Sequence, residues 1–135
     1  MKIVVDASVA LKWIFDEPDS AAATALRGED LLAPSLWLAE AANAVWRRSR
    51  LGDITAEDAV VYFTELANAP VLSVEMEPHL KQALSLAVEI GHPIYGCVYL
   101  ALALHHETYV VTADRRFIAA ADQAGLADRV RRLAP

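Results

Sequence analysis

Two apolar rhythms alternate along this chain. Residues 2–5 carry adjacent branched aliphatic side chains, as a strand covered on both faces does, and the run stops at Asp6. Over residues 8–15 the spacing turns helical, with Val9, Leu11, Trp13, Ile14 and Phe15 forming a broad apolar surface. Pro18, Asp19 and Ser20 then restart an alanine-rich helix that closes near Gly28. Residues 31–33 predict a short strand, followed by Pro34 and by Ser35 as the N-cap of a helix over 36–50. Thr55 and Asp58 form a weaker capping box that opens a helix running to about Asn68. Residues 71–74 read as a strand. Pro78 begins a helix with Leu80, Ala83, Leu84, Ala87, Val88 and Ile90 at helical spacing, closed by Gly91. An apolar helix over 94–105 precedes the β-branched run 109–112, which ends at Ala113 and Asp114. A last helix covers about 116–124, and 130–133 reads as a small edge strand or a tail.

Strands that alternate with helices from end to end pair in parallel through crossovers. The expected fold is a three-layer α/β/α sandwich with a central, mainly parallel sheet, built as one domain over residues 1–135. Composition supports a real core: 56% of the 135 residues are hydrophobic and 22% are charged. Twelve basic against eighteen acidic residues give a net charge of -6, which argues against coating nucleic acid or anionic membrane by bulk charge. The uncharged stretch 90–104 is too short for a membrane span and is broken by Gly91, His92, Pro93 and Gly96. Cys97 is the one cysteine, so no intramolecular disulfide forms, and Asp6 interrupts any signal-peptide pattern. The cytoplasm is the expected location.

Asp6 and Asp114 each end a strand, where open parallel sheets bind ligands. Two carboxylates brought together repel unless a cation or a shared proton compensates, so a hard divalent ion, Mg²⁺ or Mn²⁺, is implied. The plainer alternative is that each aspartate caps the helix that follows it. Glu40 is the third unusual acid, set among Leu36, Trp37, Leu38, Ala39, Ala41 and Ala42. With Asn43 and Arg47 it makes one polar stripe, which either faces water or joins the two aspartates.

At these residues the sequence resembles the PIN-domain nucleases, and among them the VapC-type ribonuclease toxins of toxin–antitoxin pairs. The resemblance covers nearly the whole chain. It rests on IVVDAS from Ile3 to Ser8, on Glu40, Asn43, Ala44 and Arg47, on HPIYGCVYLALA from His92 to Ala103, and on VVTADRRF from Val110 to Phe117. The resemblance implies that Asp6, Glu40 and Asp114 hold Mg²⁺ or Mn²⁺ against RNA, with Glu40 positioning the water and Ser8, Asn43 and Thr112 in support. It also implies a homodimer and a cognate antitoxin lying over the acidic site. One departure stands out: the family pattern has an aspartate directly after the tyrosine of the HPIY segment, and this chain has Gly96. That leaves a vacant ligand position and a three-acid site, in which an aspartate restored at 96 is expected to enter an open gap. The alternative function is a catalytically weakened PIN domain that binds RNA or its antitoxin. A receiver-like domain is disfavoured, because Asp6 stands alone at the first strand's end.

Arg47, Arg115 and Arg116 are candidates for gripping RNA phosphates near the acids, against the ordinary preference of basic residues for helix ends. The four histidines lack the spacing of a helical zinc site and read as surface or capping residues. Tyr95 and Tyr99 read as core, Cys97 as an inert buried thiol, and Trp13, Trp37 and Trp46 as core or as a groove for a helical partner.

Overall fold

The computed structural model describes residues 2–134. Its strands are β1 (Lys2–Val5), β2 (Asp30–Pro34), β3 (Val71–Val74), β4 (Val110–Thr112) and β5 (Val130–Arg132). Its helices are α1 (Ala7–Ala10), α2 (Ser20–Leu26), α3 (Leu36–Arg50), α4 (Ala56–Ala67), α5 (Leu80–Ile90), α6 (Ile94–His105) and α7 (Arg115–Gln123). The sheet order is β3-β2-β1-β4-β5 and every neighbouring pair is parallel. The segment 130–133 is therefore an edge strand, paired with β4 from Val110↔Val130 to Thr112↔Arg132.

The pleat of β1 explains the three layers. Ile3 and Val5 point to one face, where they meet Val9, Ala23, Leu31 and Val111; Val4 points to the other, where it joins Leu32, Val110, Trp37, Val98, Leu100 and Phe117. The larger face carries α3, α5, α6 and α7, and α6 is buried from Cys97 to Ala103. That burial accounts for a helix whose sequence is apolar nearly all round. Among the described residues no single helix is long and apolar enough to cross a membrane; α5 with its leading turn and α6 meet at 116°.

Several local expectations need correction. The helix expected over 8–15 is only α1, after which Leu11–Trp13 tightens into a 3-10 turn. There the Trp13 indole N–H donates to the Ala23 carbonyl oxygen at 2.8 Å, tying the turn to α2. Ser35 does not cap α3 through its side chain: its backbone is already helical, and its N–H donates to the Val74 carbonyl oxygen at 2.7 Å. An N-cap needs extended backbone geometry, which Ser35 does not have. Thr55 does cap α4, accepting the Asp58 N–H at 3.0 Å. Gly91 ends α5 at φ 68°, a left-handed conformation that glycine adopts without a side-chain clash. Tyr95 is not core but 59% exposed, and His79 is buried against His105.

Candidate functional site

Asp6 directly follows β1, and Asp114 lies just beyond β4. Those two strands are paired, Val4 with Val110 and Val5 with Val111, so both acids emerge at the same end of the sheet. Asp6 is buried. Its Oδ1 accepts the Ser8 backbone N–H at 3.0 Å and the Ser8 hydroxyl, and its Oδ2 accepts the Thr112 hydroxyl. The same hydroxyl oxygens accept backbone N–H groups of the neighbouring strand end: Ala113 donates to Ser8 Oγ and Asp114 to Thr112 Oγ1, each at 3.0 Å. Two small side chains thus link the Asp6 carboxylate to the backbone that carries Asp114. Burial pushes the Asp6 carboxyl up to about 6; the Ser8 and Thr112 donors work against that rise, and the nearby Glu40 carboxylate adds to it.

Glu40 comes from α3, anchored by buried Trp37, Ala41 and Val45. Its Oε1 accepts the Tyr99 hydroxyl at 2.5 Å. Partial burial raises the Glu40 carboxyl, and the Tyr99 donor opposes the rise. The Tyr99 phenol is itself held protonated, first by burial and then by the adjacent Glu40 charge, so it remains a donor throughout the working pH range. Tyr99 is buried core, as its sequence context suggested; the role of its hydroxyl at Glu40 was not read from the sequence. The available signal was Glu40 itself, since an acid inside an apolar helix requires a buried donor.

Asp114 is exposed at the rim, and its Oδ1 accepts the Arg116 and Phe117 N–H groups at 3.0 and 3.3 Å as the N-cap of α7. Asp6 likewise caps α1. Capping and site membership are therefore compatible, because each cap leaves carboxylate lone pairs free.

Asp6, Ser8, Glu40 and Asp114 line one cleft of about 580 Å³, with Gly96 and Arg116 also on its wall. Thr112 is fully buried behind Asp6. Asn43 and Arg47 are exposed on α3 outside that lining, and Arg47 lines a separate pocket with Phe15 and Arg48. Arg115 lines another pocket with Asp122, Arg131 and Arg132. Of the three arginines expected beside the acids, Arg116 alone lines the cleft. The reason is helical geometry: successive residues on α7 point about 100° apart, and seven residues on α3 displace Arg47 roughly 10 Å from Glu40.

Position 96 is not a gap. The His92 imidazole fills the space that a side chain there would enter, since a Cβ on Gly96 would lie 2.7 Å from His92 Nε2 and 2.8 Å from its Cδ2. The ring stacks on Phe117, centroids 4.9 Å apart and planes at 16°. His92 therefore lines the cleft, a position that histidine spacing alone did not signal.

The oxygen donors of Asp6, Glu40 and Asp114 suit a hard divalent cation. Among the described residues, however, no three His, Cys, Asp or Glu side chains converge closely enough to hold an ion.

Residues 3–123 match the PIN-domain family model. A curated relative, Ribonuclease VapC3 of Pyrobaculum aerophilum, is 32% identical over 120 residues, covering 86% of this chain and 92% of that protein. Among solved structures, the sarcin-ricin loop cleaving toxin VapC20 of Mycobacterium tuberculosis superposes with a TM-score of 0.68 at 16% identity, over 87% of this chain and 94% of that one. A chain of a toxin–antitoxin complex from Klebsiella pneumoniae superposes with a TM-score of 0.62 at 12% identity, over 87% and 90%.

Proposed function

The chain belongs to the PIN-domain family, and we propose that it is a VapC-type ribonuclease toxin that hydrolyses RNA phosphodiester bonds in the Asp6–Glu40–Asp114 cleft with Mg²⁺ or Mn²⁺. The observation that carries this reading is the buried Asp6 carboxylate, gripped by Ser8 and Thr112, sharing one cleft with Glu40 and Asp114. Asp6, Glu40 and Asp114 would hold the ion. When bound, such an ion polarises the scissile phosphate and lowers the pKa of a coordinated water.

The chain's own residues do the positioning. Tyr99 occupies Oε1 of Glu40 and leaves Oε2 to orient the attacking water. Ser8 and Thr112 hold both Asp6 oxygens in one orientation. Helices α6 and α7 begin at the cleft, and their positive ends with Arg116 favour an anionic backbone there despite the chain's net charge of -6.

The partners proposed are a cognate antitoxin and a second copy of the chain, in the cytoplasm. Exposed apolar side chains support this: Trp46 on α3, Val60 and Val61 on α4, Leu72 on β3, and Leu84 and Val88 on α5. A second reading, an RNA- or antitoxin-binding PIN domain of weakened activity, is favoured by the absence of a carboxylate at position 96.

Incubating the purified chain with an end-labelled RNA containing a structured loop decides between them. With millimolar Mn²⁺ the chain should cleave; EDTA should stop it, and Asp6→Asn should slow it by about 100-fold or more. RNA that is bound but stays intact in every metal would leave the binding reading in force.

A further inference from the structure

The wall of the cleft is not all acidic. Pro93, Tyr95, Phe117 and Ala120 line it together with Asp6, Glu40 and Asp114. Tyr95 stands out among them, a large aromatic side chain at the second position of α6 that is exposed where its sequence context predicts core. Four residues on, one helical turn and about 6 Å along α6, Tyr99 is buried with its hydroxyl on Glu40. The two rings share one helix face, so Tyr95 lines the cleft one turn outward from the Tyr99–Glu40 pair. Among the described residues the Tyr95 ring has no aromatic or cationic neighbour. Next in the chain, the His92 imidazole covers Gly96 and stacks on Phe117, so this part of the wall is aromatic. An ion with six waters fills roughly 200 Å³. The cleft, at about 580 Å³, has room for a base-sized group besides.

We propose that Tyr95 is a stacking platform for an unpaired nucleobase of the substrate, next to the phosphate that is cut. The proposal rests on the reading of the cleft as a ribonuclease site, and it adds how that site selects its RNA: a strand whose bases are splayed out. Phosphates are alike in every nucleotide, so the acids and Arg116 carry no preference among them. An exposed ring does, because an unpaired base has a face to offer and a base inside a duplex does not. Arg116 and the N-terminus of α7 lie in the same cleft, where they take the backbone while the ring takes the base. The competing explanation is that a protein partner covers the ring. Its place in one cleft with the acids and Arg116 favours RNA.

Single-turnover cleavage of an RNA hairpin in Mn²⁺, with each loop position made abasic in turn, separates the two. Anisotropy of the same fluorescein-labelled hairpin in EDTA repeats the comparison without cleavage. Tyr95→Ala should weaken hairpin binding by about tenfold or more and lower the saturated cleavage rate less. Tyr95→Phe keeps the ring and should stay within about twofold of the parent. One abasic position should cost the parent about tenfold and cost Tyr95→Ala nothing further, since the base and the ring are then missing from the same contact. Tyr95 is exposed, so both variants should melt like the parent. Tyr95→Ala that binds and cuts like the parent, as a ring reserved for a protein partner predicts, would overturn the proposal and leave the ribonuclease reading standing. Equal losses in Tyr95→Phe and Tyr95→Ala, or abasic losses that add to that of Tyr95→Ala, would overturn it as well. A hairpin bound with the expected Tyr95 dependence but never cut would uphold the platform and remove the ribonuclease reading. RNA neither bound nor cut by the parent chain would overturn both.

Discussion

Asp6 carries its charge in a buried position, which makes it the residue whose protonation matters most to the fold. Its carboxyl is raised from 3.8 to about 6, so between those values the folded chain holds a proton that the unfolded chain has released. The stability tied to this group is full below pH 3.8 and is lost as pH rises through about 6. Asp6→Asn should therefore stabilise the metal-free protein by up to about 3 kcal/mol above neutral pH, a difference that shrinks toward zero in acid; urea unfolding across pH measures it. At Glu40 burial raises the carboxyl and Tyr99 opposes the rise. Tyr99→Phe removes the donor that holds the Glu40 carboxyl down, so the acid limb of the pH–rate profile should move to higher pH, with RNA affinity little changed. The three acids were legible in the sequence because each breaks a local pattern, two at strand ends and one in an apolar helix. Tyr99 was not, since its partner lies 59 residues away and an aromatic in an apolar helix violates no local rule.

Helices and strands were legible wherever the pattern was long or its ends were marked. The bounds read for α3 and α6 agree with the structure, and Gly91 closes α5 as its position suggested. The segment after Asp6 was misread because an apolar surface at helical spacing does not distinguish an α-helix from about two turns of mixed helix. Gly96 shows the same limit at finer grain. Within a helix, Gly→Ala ordinarily gains about 0.5–1 kcal/mol, but the new Cβ would lie 2.7 Å from His92 Nε2. Gly96→Ala should therefore be neutral or destabilising in the parent chain and stabilising by about 0.5–1 kcal/mol once His92→Ala has cleared the space. Chemical denaturation of the four proteins measures that coupling. The same contact means that Gly96→Asp must first displace the imidazole, so the double change His92→Ala with Gly96→Asp is the cleaner route to a fourth carboxylate.

For the whole molecule, the parallel sheet explains why residues distant in sequence share a cleft. With β1 and β4 adjacent at the sheet's centre, both strand ends deliver an acid to one side, and the helices that follow present their N-termini there. Strand-then-acid recurrence made that convergence readable. The sequence did not disclose which arginines face the cleft, because that depends on the rotation of α3 and α7 against the sheet. The central claim is that Asp6, Glu40 and Asp114 make one cation centre, and anomalous diffraction from crystals grown with Mn²⁺ tests it most directly. The expected result is a dominant peak in the cleft, about 2.2 Å from oxygens of Asp6 and of Glu40 or Asp114, and absent from Asp6→Asn crystals. An empty cleft in crystals of protein that still cleaves RNA, or a peak that survives Asp6→Asn, would contradict it.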